Sequence, residues 1–492
     1  MDITRPASAS YWWAQIEKAL LAPARAMRWT YLPLLMVYFA YGATGITAIA
    51  ASFWVRKSLT WSPAELAALS VWFGLPWTIK MVFGSLVDSV PLFGSQRRTY
   101  VFLGASLIAA GYVLLAGSAG GWITAVPPNQ IFVIASLLGV LGAVIQDVVA
   151  DAMSTEVVPR TNADGSPRPK EEIDHDLGMV QVLGRLALSL GVFAVAGLAG
   201  LLAHFLSYDK VFLIGLIVPL ISVSGALLVR LETTERRPID WRILGGGLAF
   251  GAIVAALGFA QVPYAQEIVF AFSMAVVIWM LVRVTRDVDH ATRVRIALAA
   301  VIIFAFRATP GVGAGYTWFA MDVLGFSEGF FGVLAQIGSG VALVVLWLLA
   351  DAITRRPVAQ VLLWLTVLGT ILALPIFLLV FEWYKLIGVS PHSIALFDAV
   401  ATSPFAQLSM IPLLTLVAIY APAGRRATWF ALMASLLNLA LQAGEMQTKY
   451  LNLFFHIERG SYGNLPALTV TAMIIGLVLP LAAIAILGRR VR

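Results

Sequence analysis

Apolar runs of about 20 residues or more recur along the whole chain, and they constrain its fold more than any other feature. A helix that crosses the ~30 Å hydrocarbon core of a bilayer needs about 20 apolar residues. Only helices and closed barrels satisfy their backbone groups in lipid, and these runs are too long and too uniformly apolar for barrel strands. The sequence therefore predicts an all-α membrane protein with 14 transmembrane helices. The runs fall at about 31–54, 64–87, 98–118, 129–152, 177–203, 210–230, 242–262, 265–284, 295–320, 329–351, 358–381, 394–420, 427–451 and 467–488.

The composition agrees with a chain embedded in lipid. Hydrophobic residues make up 60% of the 492 residues and charged residues 12%, whereas a soluble globular chain has about 25% charged residues. The chain has no cysteine, which excludes disulfides and cysteine metal sites. The five histidines have no metal-ligand spacing, and no GxxxxGK(S/T) nucleotide loop is present. We expect no metal, no cofactor and no enzymatic activity.

The basic residues indicate how the chain is oriented. If the N-terminus is cytoplasmic, 24 of the 33 Lys and Arg residues fall in predicted inner segments and six in predicted outer segments. Cytoplasmic loops carry an excess of Lys and Arg, so we predict a multi-pass protein of the cell inner membrane with both termini cytoplasmic. The net charge of +7 is then a topology signal and not a sign of nucleic-acid binding. Residues 1–28 form an N-terminal segment, either a helix lying in the membrane interface or a disordered tail.

Two parts of the chain echo one another in position. Asp88 closes the second run and is followed by Arg97 and Arg98, and Asp351 closes the tenth run ahead of another arginine pair. Glycines at 42–45 interrupt the first run, and Pro and Gly at 308–315 interrupt the ninth. The echo predicts a major facilitator-type fold, acting as a monomer, with two six-helix bundles and an inserted two-helix hairpin. The predicted boundaries are 29–230, 231–294 and 295–492.

Three cations lie inside predicted spans, and two of them fall at the depth of an acidic pair. Lys80 and Arg185 are expected at one level with Asp147 and Asp151, in the inner half of the first bundle. A charge at the bilayer centre costs about 2.5–3.5 kcal/mol on insertion scales, so a set of charged residues at this depth indicates a functional or structural role that offsets the cost. One interpretation is a site that couples substrate to protons, and the other is a salt-bridge cluster that locks the bundle.

Arg307, the third cation, directly precedes the Pro/Gly-rich stretch of the ninth run. Helix interruptions at membrane depth are tolerated where they line a cavity, and they indicate a carrier's substrate site. The alternative is a buried kink with Arg307 paired to a carboxylate. Asp398 and Glu445, with Lys449, are candidates for an outer gate or for ordinary interface charges.

Near the inner face, acids and arginines suggest a second gate. Asp88 with Arg97 and Arg98 reads as a latch, and Asp351 holds the corresponding position of the second bundle. Charge pairs across helices can hold one state closed and break in the other.

Several of these residues belong to stretches that resemble the folate–biopterin transporter family, a branch of the major facilitator superfamily. The similarity covers both predicted bundles in order, over roughly residues 30–455. The stretches that carry it are Pro76–Gly84, Asp88–Gly94, Arg97-Arg98, Asp147–Asp151, Glu156, Ala308–Pro310, Leu324–Ser327, Gly332, Asp398, Pro412-Leu413, Ala427-Thr428 and Asn438.

The resemblance implies proton-coupled carriage of folates and pterins through alternating access. Folates carry carboxylates that Lys80, Arg185 and Arg307 could bind. Pterin rings stack on aromatic side chains, and the aromatic candidates could equally be core packing. They are Tyr41, Trp77 and Tyr316, with Tyr38, Trp72 and Trp318 nearby in the predicted spans.

Two hypotheses of different class follow. The first is a secondary transporter that moves an organic anion with protons, and its partners are that small molecule, protons and the lipid bilayer. The second is a transport-inactive, facilitator-like factor that assembles a membrane complex or delivers its pigment. Solute flux in liposomes separates the two.

Overall fold

The structure is a computed structural model, and it describes most of the chain. The described residues are 27–95, 97–162, 164–228, 241–260, 262–286, 288–354, 358–419 and 426–488. The predicted interfacial segment at 1–28 lies outside them, apart from Met27 and Arg28.

A first helix group runs from residue 29 to residue 228. It contains two 3₁₀ turns, Trp29–Tyr31 and Thr44–Thr47, and nine α-helices among the described residues. The helices are α1 Leu32–Ala43, α2 Ala48–Ser58, α3 Pro63–Thr78, α4 Lys80–Ser89, α5 Arg98–Ala119, α6 Pro128–Glu156, α7 Lys170–Phe205, α8 Tyr208–Ile214 and α9 Ile217–Leu228.

A helix pair and a second helix group follow. The pair is α10 Trp241–Phe259 and α11 Ala265–Val284. The second group consists of α12 His290–Arg307, α13 Ala314–Asp322, α14 Glu328–Thr354, α15 Val358–Leu372, α16 Pro375–Val380, α17 Tyr384–Ile387, α18 Pro391–Ile419, α19 Arg426–Phe454 and α20 Leu465–Leu487.

Side chains that satisfy free backbone donors set where several helices begin. Ser62 and Glu65 form a capping box at α3, in which each side chain accepts a hydrogen bond from the backbone N–H of the other. Asp289 accepts a 2.9 Å hydrogen bond from the N–H of Thr292 at the start of α12. Pro128 is the first residue of α6, where its missing N–H costs nothing.

Ten helical stretches of the described residues are long and apolar enough to cross a membrane. They coincide with ten of the predicted spans, which confirms a multi-pass helical membrane protein. The remaining four predicted spans hold α10, α12 with α13, α18 and α19. The count of 14 spans and the insertion of α10 and α11 as a transmembrane hairpin stay predictions.

The two groups meet chiefly along two helix pairs, α3 on α19 and α7 on α14. Inside the first group α5 packs along α6 and α1 along α7, and inside the second α14 packs along α18. Each group has its own buried core, around Tyr100 and Val149 in the first and around Ile303 and Trp429 in the second. Helices α10 and α11 pack against α4 and α19, so they flank the contact between the groups.

Glycines allow the closest helix contacts. A Cβ added to Gly200 of α7 would lie 2.4 Å from the Cα of Gly332 in α14, so the two backbones touch where the groups meet. A Cβ added to Gly42 of α1 would lie 2.1 Å from the carbonyl oxygen of Leu188 in α7. Small residues at membrane helix interfaces gain van der Waals contact between backbones, which is what holds helices together in lipid.

Candidate functional site

Lys80 lies between two carboxylates in the first group. Its Nζ is 2.5 Å from Oδ2 of Asp147 and 2.6 Å from Oδ2 of Asp151. The two acids are one turn apart on the same face of α6, where their charges would repel without a cation. The side chains of Lys80 and Asp147 are 24% and 13% exposed, and that of Asp151 is 50% exposed. The structure thus brings together three of the predicted residues, with one acid open to its surroundings.

An interruption of the second predicted span places Lys80 at this position. Helix α3 contains Pro76 and ends at Thr78, and α4 starts at Lys80 after the non-helical Ile79. Proline removes a backbone donor and clashes with the preceding turn, which weakens the helix there. The carbonyl of Trp77, freed by the break, accepts a 3.2 Å hydrogen bond from Nδ2 of Asn438 in α19. The first group's break is therefore held by the second group.

Tyr38, Tyr41 and Arg185 surround the lysine and its acids. The hydroxyl of Tyr38 donates a 2.8 Å hydrogen bond to Oδ1 of Asp151. The ring of Tyr41 lies 5.7 Å from that of Trp77, centroid to centroid, at a tilt of 32°. Arg185 is exposed on α7 and lies close enough to interact electrostatically with Asp147 and Tyr38. Four predicted charged residues and three predicted aromatic residues therefore lie close together in the first group.

The ninth predicted span is also interrupted. Helix α12 ends at Arg307 and α13 begins at Ala314, so 308–313 is non-helical. Gly313 has a φ of 72°, a conformation that glycine adopts without steric cost. Arg307 is half-buried at the last turn of α12. The first span is locally altered as well, because the 3₁₀ turn Thr44–Thr47 separates α1 from α2.

The acids predicted for the second bundle are spread over two helices. Asp398 on α18 lies close enough to interact electrostatically with Tyr316 on α13, and Glu445 is half-buried on α19. Among the described residues, Lys449 pairs with Glu267 of α11 at 2.7 Å and with neither acid. Its ammonium therefore joins α19 to the helix pair. The described part of the chain contains no group of three or more His, Asp or Glu side chains that could hold a metal ion.

At the predicted inner gate, Arg97 pairs with Glu156. Its Nη2 is 2.6 Å from Oε1 of Glu156, and the arginine side chain is 6% exposed. Arg98 is exposed and stacks over a phenylalanine ring of its own helix. The side chains of Asp88 and Asp351 lie outside the part of the chain that the structure describes, so the predicted latch between Asp88 and the arginines stays a prediction.

On the predicted outer side, Arg459 of the second group binds the end of a helix in the first. Its Nη1 donates to the carbonyl of Arg56 at 2.8 Å, its Nη2 to that of Val55 at 3.2 Å and its Nε to that of Trp61 at 3.2 Å. The first two carbonyls belong to the last turn of α2, where helix carbonyls run out of intrahelical partners; that of Val55 also accepts a 3.1 Å hydrogen bond from the N–H of Leu59. The guanidinium also lies over the ring of Trp318, 4.9 Å from the centroid.

Two ion pairs run beside this contact, and each joins the two groups. Arg56 of α2 pairs with Asp322 of α13, and Lys57 of α2 pairs with Glu328 of α14 at 3.3 Å. The hydroxyl of Tyr208 donates a 2.9 Å hydrogen bond to the same glutamate. We call the set formed by Arg56, Lys57, Trp318, Asp322, Glu328 and Arg459 the outer closure.

Sequence reasoning did not identify the outer closure. It grouped Trp318 with the aromatic residues that could stack on a pterin or form core packing; the residue is 2% exposed, and its ring lies under Arg56 and Arg459. A signal was present, however. Basic residues are rare in predicted outer segments, and Arg56, Lys57 and Arg459 are three of the six found there. Basic residues that depart from the positive-inside pattern are candidates for specific contacts.

Comparison with known proteins identifies relatives over most of the chain. The model of the BT1 family matches residues 42–491. The folate-biopterin transporter of Synechocystis sp. is 28% identical over 96% of this chain and 84% of its own length. Folate transporter 1 of Plasmodium falciparum is 20% identical over 85% of this chain and 71% of its own length.

Solved structures of similar fold come from another group of transporters. A POT family transporter in complex with 5-aminolevulinic acid has a TM-score of 0.68 at 14% identity, covering 94% of this chain and 96% of that one. The peptide transporter POT in complex with sulfate has a TM-score of 0.64 at 18% identity, covering 96% and 95%. At such identities the likeness concerns the fold, which is of the major facilitator type predicted from the sequence.

Proposed function

The chain belongs to the BT1 family, and from that premise we propose that it moves an organic anion of the folate or pterin class across the cytoplasmic membrane with protons. The resemblance found in the sequence is thereby confirmed at the level of the family, whose curated relatives are transporters and not enzymes. The anion, the protons and the route are our proposal.

One observation carries the proposal. Lys80 sits between Asp147 and Asp151 at the break of a membrane helix, and Asp151 remains half exposed. Acidic residues inside a membrane face the bundle interior or a water-filled cavity and mark substrate or proton pathways, so the exposure of Asp151 favours a site open to solute and protons over a sealed structural ion pair. An anionic substrate that binds the ammonium of Lys80 would leave the two acids with an uncompensated repulsion, which protonation of one acid relieves.

The surroundings of Lys80 suit a folate or a pterin. The glutamate part of a folate carries carboxylates, and Arg185 and Arg307 offer further cations at membrane depth. The paired rings of Tyr41 and Trp77 provide an aromatic surface for a flat heterocycle beside the break. Asp398, Glu445 and Tyr316 would complete the site from the second group.

Alternating access follows from the contacts between the groups. The outer closure joins them on the side predicted to face outward, which supports an assignment of this structure to an inward-facing state. In the outward-facing state these contacts would break and the inner charges, Arg97 and Arg98 with Asp88 and Asp351, would act as the gate. The proposed units are six-helix bundles at 29–230 and 295–492, joined by 231–294, in a monomer with both termini cytoplasmic.

Reconstitution tests the proposal directly. Purified protein in liposomes should accumulate labelled folate or biopterin when the outside is made more acidic than the inside, so that protons flow inward. A protonophore should abolish this accumulation. The absence of flux for folates and pterins under any gradient, together with co-purification of a membrane complex, would instead favour the role of an assembly or pigment-delivery factor.

Matched lysine variants test the site. Lys80→Met should abolish uptake, because the anion loses its cation and the two acids lose theirs. Lys210→Met removes the same charge from an exposed position on α8 and should transport like the wild type. Equal uptake by the two variants would show that Lys80 does not bind the substrate. Uptake by Arg307→Ala equal to that of the wild type would show the same for Arg307.

A further inference from the structure

The interruption between α12 and α13 is held by one face of α19. Gly444, Thr448 and Asn452 are spaced four residues apart, so they lie in a row on that helix, with Gln447 beside them. This α19 row faces 308–313 over its whole length. A helix break in lipid leaves backbone groups that must find partners elsewhere, and the row supplies them.

Three side chains of the row bond the interrupted backbone. Nε2 of Gln447 donates to the carbonyl of Ala308 at 2.7 Å, and Nδ2 of Asn452 donates to the carbonyl of Val312 at 3.2 Å. Between them, Oγ1 of Thr448 accepts a 3.0 Å hydrogen bond from the N–H of Gly311. The start, middle and end of the break are therefore each attached to α19.

The fourth member of the row, Gly444, forms no side-chain hydrogen bond and instead leaves space for the interrupted segment. A Cβ added to Gly444 would lie 2.7 Å from the carbonyl oxygen of Thr309, so a larger residue would push the interrupted segment away. Thr448 and Asn452 are 3% and 1% exposed. Hydrogen bonds at such depth do not compete with water, which makes the row a rigid template for the break.

We propose that the α19 row consists of positioning residues for the anion site. The six residues 308–313 set the direction of the last turn of α12, which carries Arg307, and of the first turn of α13, which carries Tyr316. By bonding both ends and the middle of the segment, the row fixes where the guanidinium and the phenol meet the substrate. This inference rests on the proposed function.

A threonine pair provides the matched test. Thr448 and Thr469 are both buried, and each hydroxyl donates to the carbonyl four residues earlier in its own helix, Gly444 and Leu465 respectively. Thr448 alone of the two accepts a bond from the interruption. Thr448→Val should raise the KM for folate uptake about tenfold, the factor that corresponds to about 1.4 kcal/mol, with less than a twofold change in maximal rate.

Rescue and control variants separate positioning from folding. Thr448→Ser keeps the acceptor and should restore KM to within about threefold of the wild type, and Thr469→Val should leave it unchanged. A structural role would lower the melting temperature of both valine variants and would not separate their KM values. If Thr448→Val and Thr469→Val have the same KM, the row does not position the site.

A second readout does not depend on the substrate. The chain has no cysteine, so Thr309→Cys reports the interruption by its rate of modification with a water-soluble maleimide. Adding Thr448→Val should change that rate severalfold, whereas adding Thr469→Val should not. An unchanged modification rate overturns the positioning role. If the wild type transports neither folate nor pterin, the proposed function is overturned, and the maleimide measurement still tests whether the row holds the interruption.

Discussion

Arg459 is the residue whose removal should most change the balance between inward- and outward-facing states. Its guanidinium donates to the carbonyls of Val55, Arg56 and Trp61, and all three bonds join the second group to the first. Each intramolecular hydrogen bond contributes about 1 kcal/mol net. Burial and the neighbouring Arg56 lower the pKa of Arg459, yet arginine remains protonated at neutral pH.

The expected shift follows from these contacts. Three bonds amount to about 3 kcal/mol, while stacking on Trp318 and repulsion from Arg56 act in opposite directions. At 1.4 kcal/mol per tenfold, Arg459→Ala should reduce the ratio of closed to open outer sides about 100-fold. The variant should therefore populate an outward-open state that is rare in the wild type.

Cysteine accessibility measures that ratio without interference, because the chain has no cysteine of its own. Phe53 is 6% exposed and packs edge to face on Phe331 across the two groups, with centroids 5.7 Å apart. In a Phe53→Cys background, Arg459→Ala should speed modification by an impermeant maleimide at least tenfold. Lys385→Ala is the control, because Lys385 pairs with Glu382 three residues away within the second group. Equal modification rates for the two variants would refute a role of Arg459 in holding the outer closure.

Two further predictions follow from the packing. Gly200→Leu should also open the outer side in the accessibility assay, because its Cβ would lie 2.4 Å from the backbone of α14. Gly251→Leu should not, because nothing lies within 4 Å of a Cβ added there. An unchanged modification rate for Gly200→Leu would contradict the close contact. Arg97→Ala should lower the melting temperature, because loss of a paired, buried cation destabilises by about 2 kcal/mol or more. Arg98 is exposed beside it, so Arg98→Ala should leave the melting temperature unchanged. Equal melting temperatures for the two variants would show that the pair of Arg97 with Glu156 does not stabilise the protein.

The ion cluster could be anticipated because its ingredients are local. Asp147 and Asp151 share a helix face through their spacing, and the depth of Lys80 follows from its place in an apolar run. The interruption after Arg307 was likewise readable, since proline and glycine act on the backbone around them. Arg185 was expected beside the cluster, and the structure has it within electrostatic range of Asp147.

Partners on other helices could not be predicted from the sequence. The prediction for Arg97 named Asp88 and did not include Glu156, with which Arg97 pairs although it is 59 residues away. Lys449 was grouped with acids at a similar depth, yet it pairs with Glu267 of the helix pair. Depth along the membrane normal follows from sequence, but the direction in which a side chain points depends on helix rotation and tilt, which packing decides.

By itself the sequence determined a helical membrane chain, the positions of most spans, two helix breaks and the family, because hydropathy and helix-breaking residues act over one or two turns of backbone. The tertiary structure alone decided that Arg459 would reach carbonyls about 400 residues earlier in the chain and that one face of α19 would support the broken span. Such contacts depend on how helices of two groups meet, and no local property of either segment specifies that meeting.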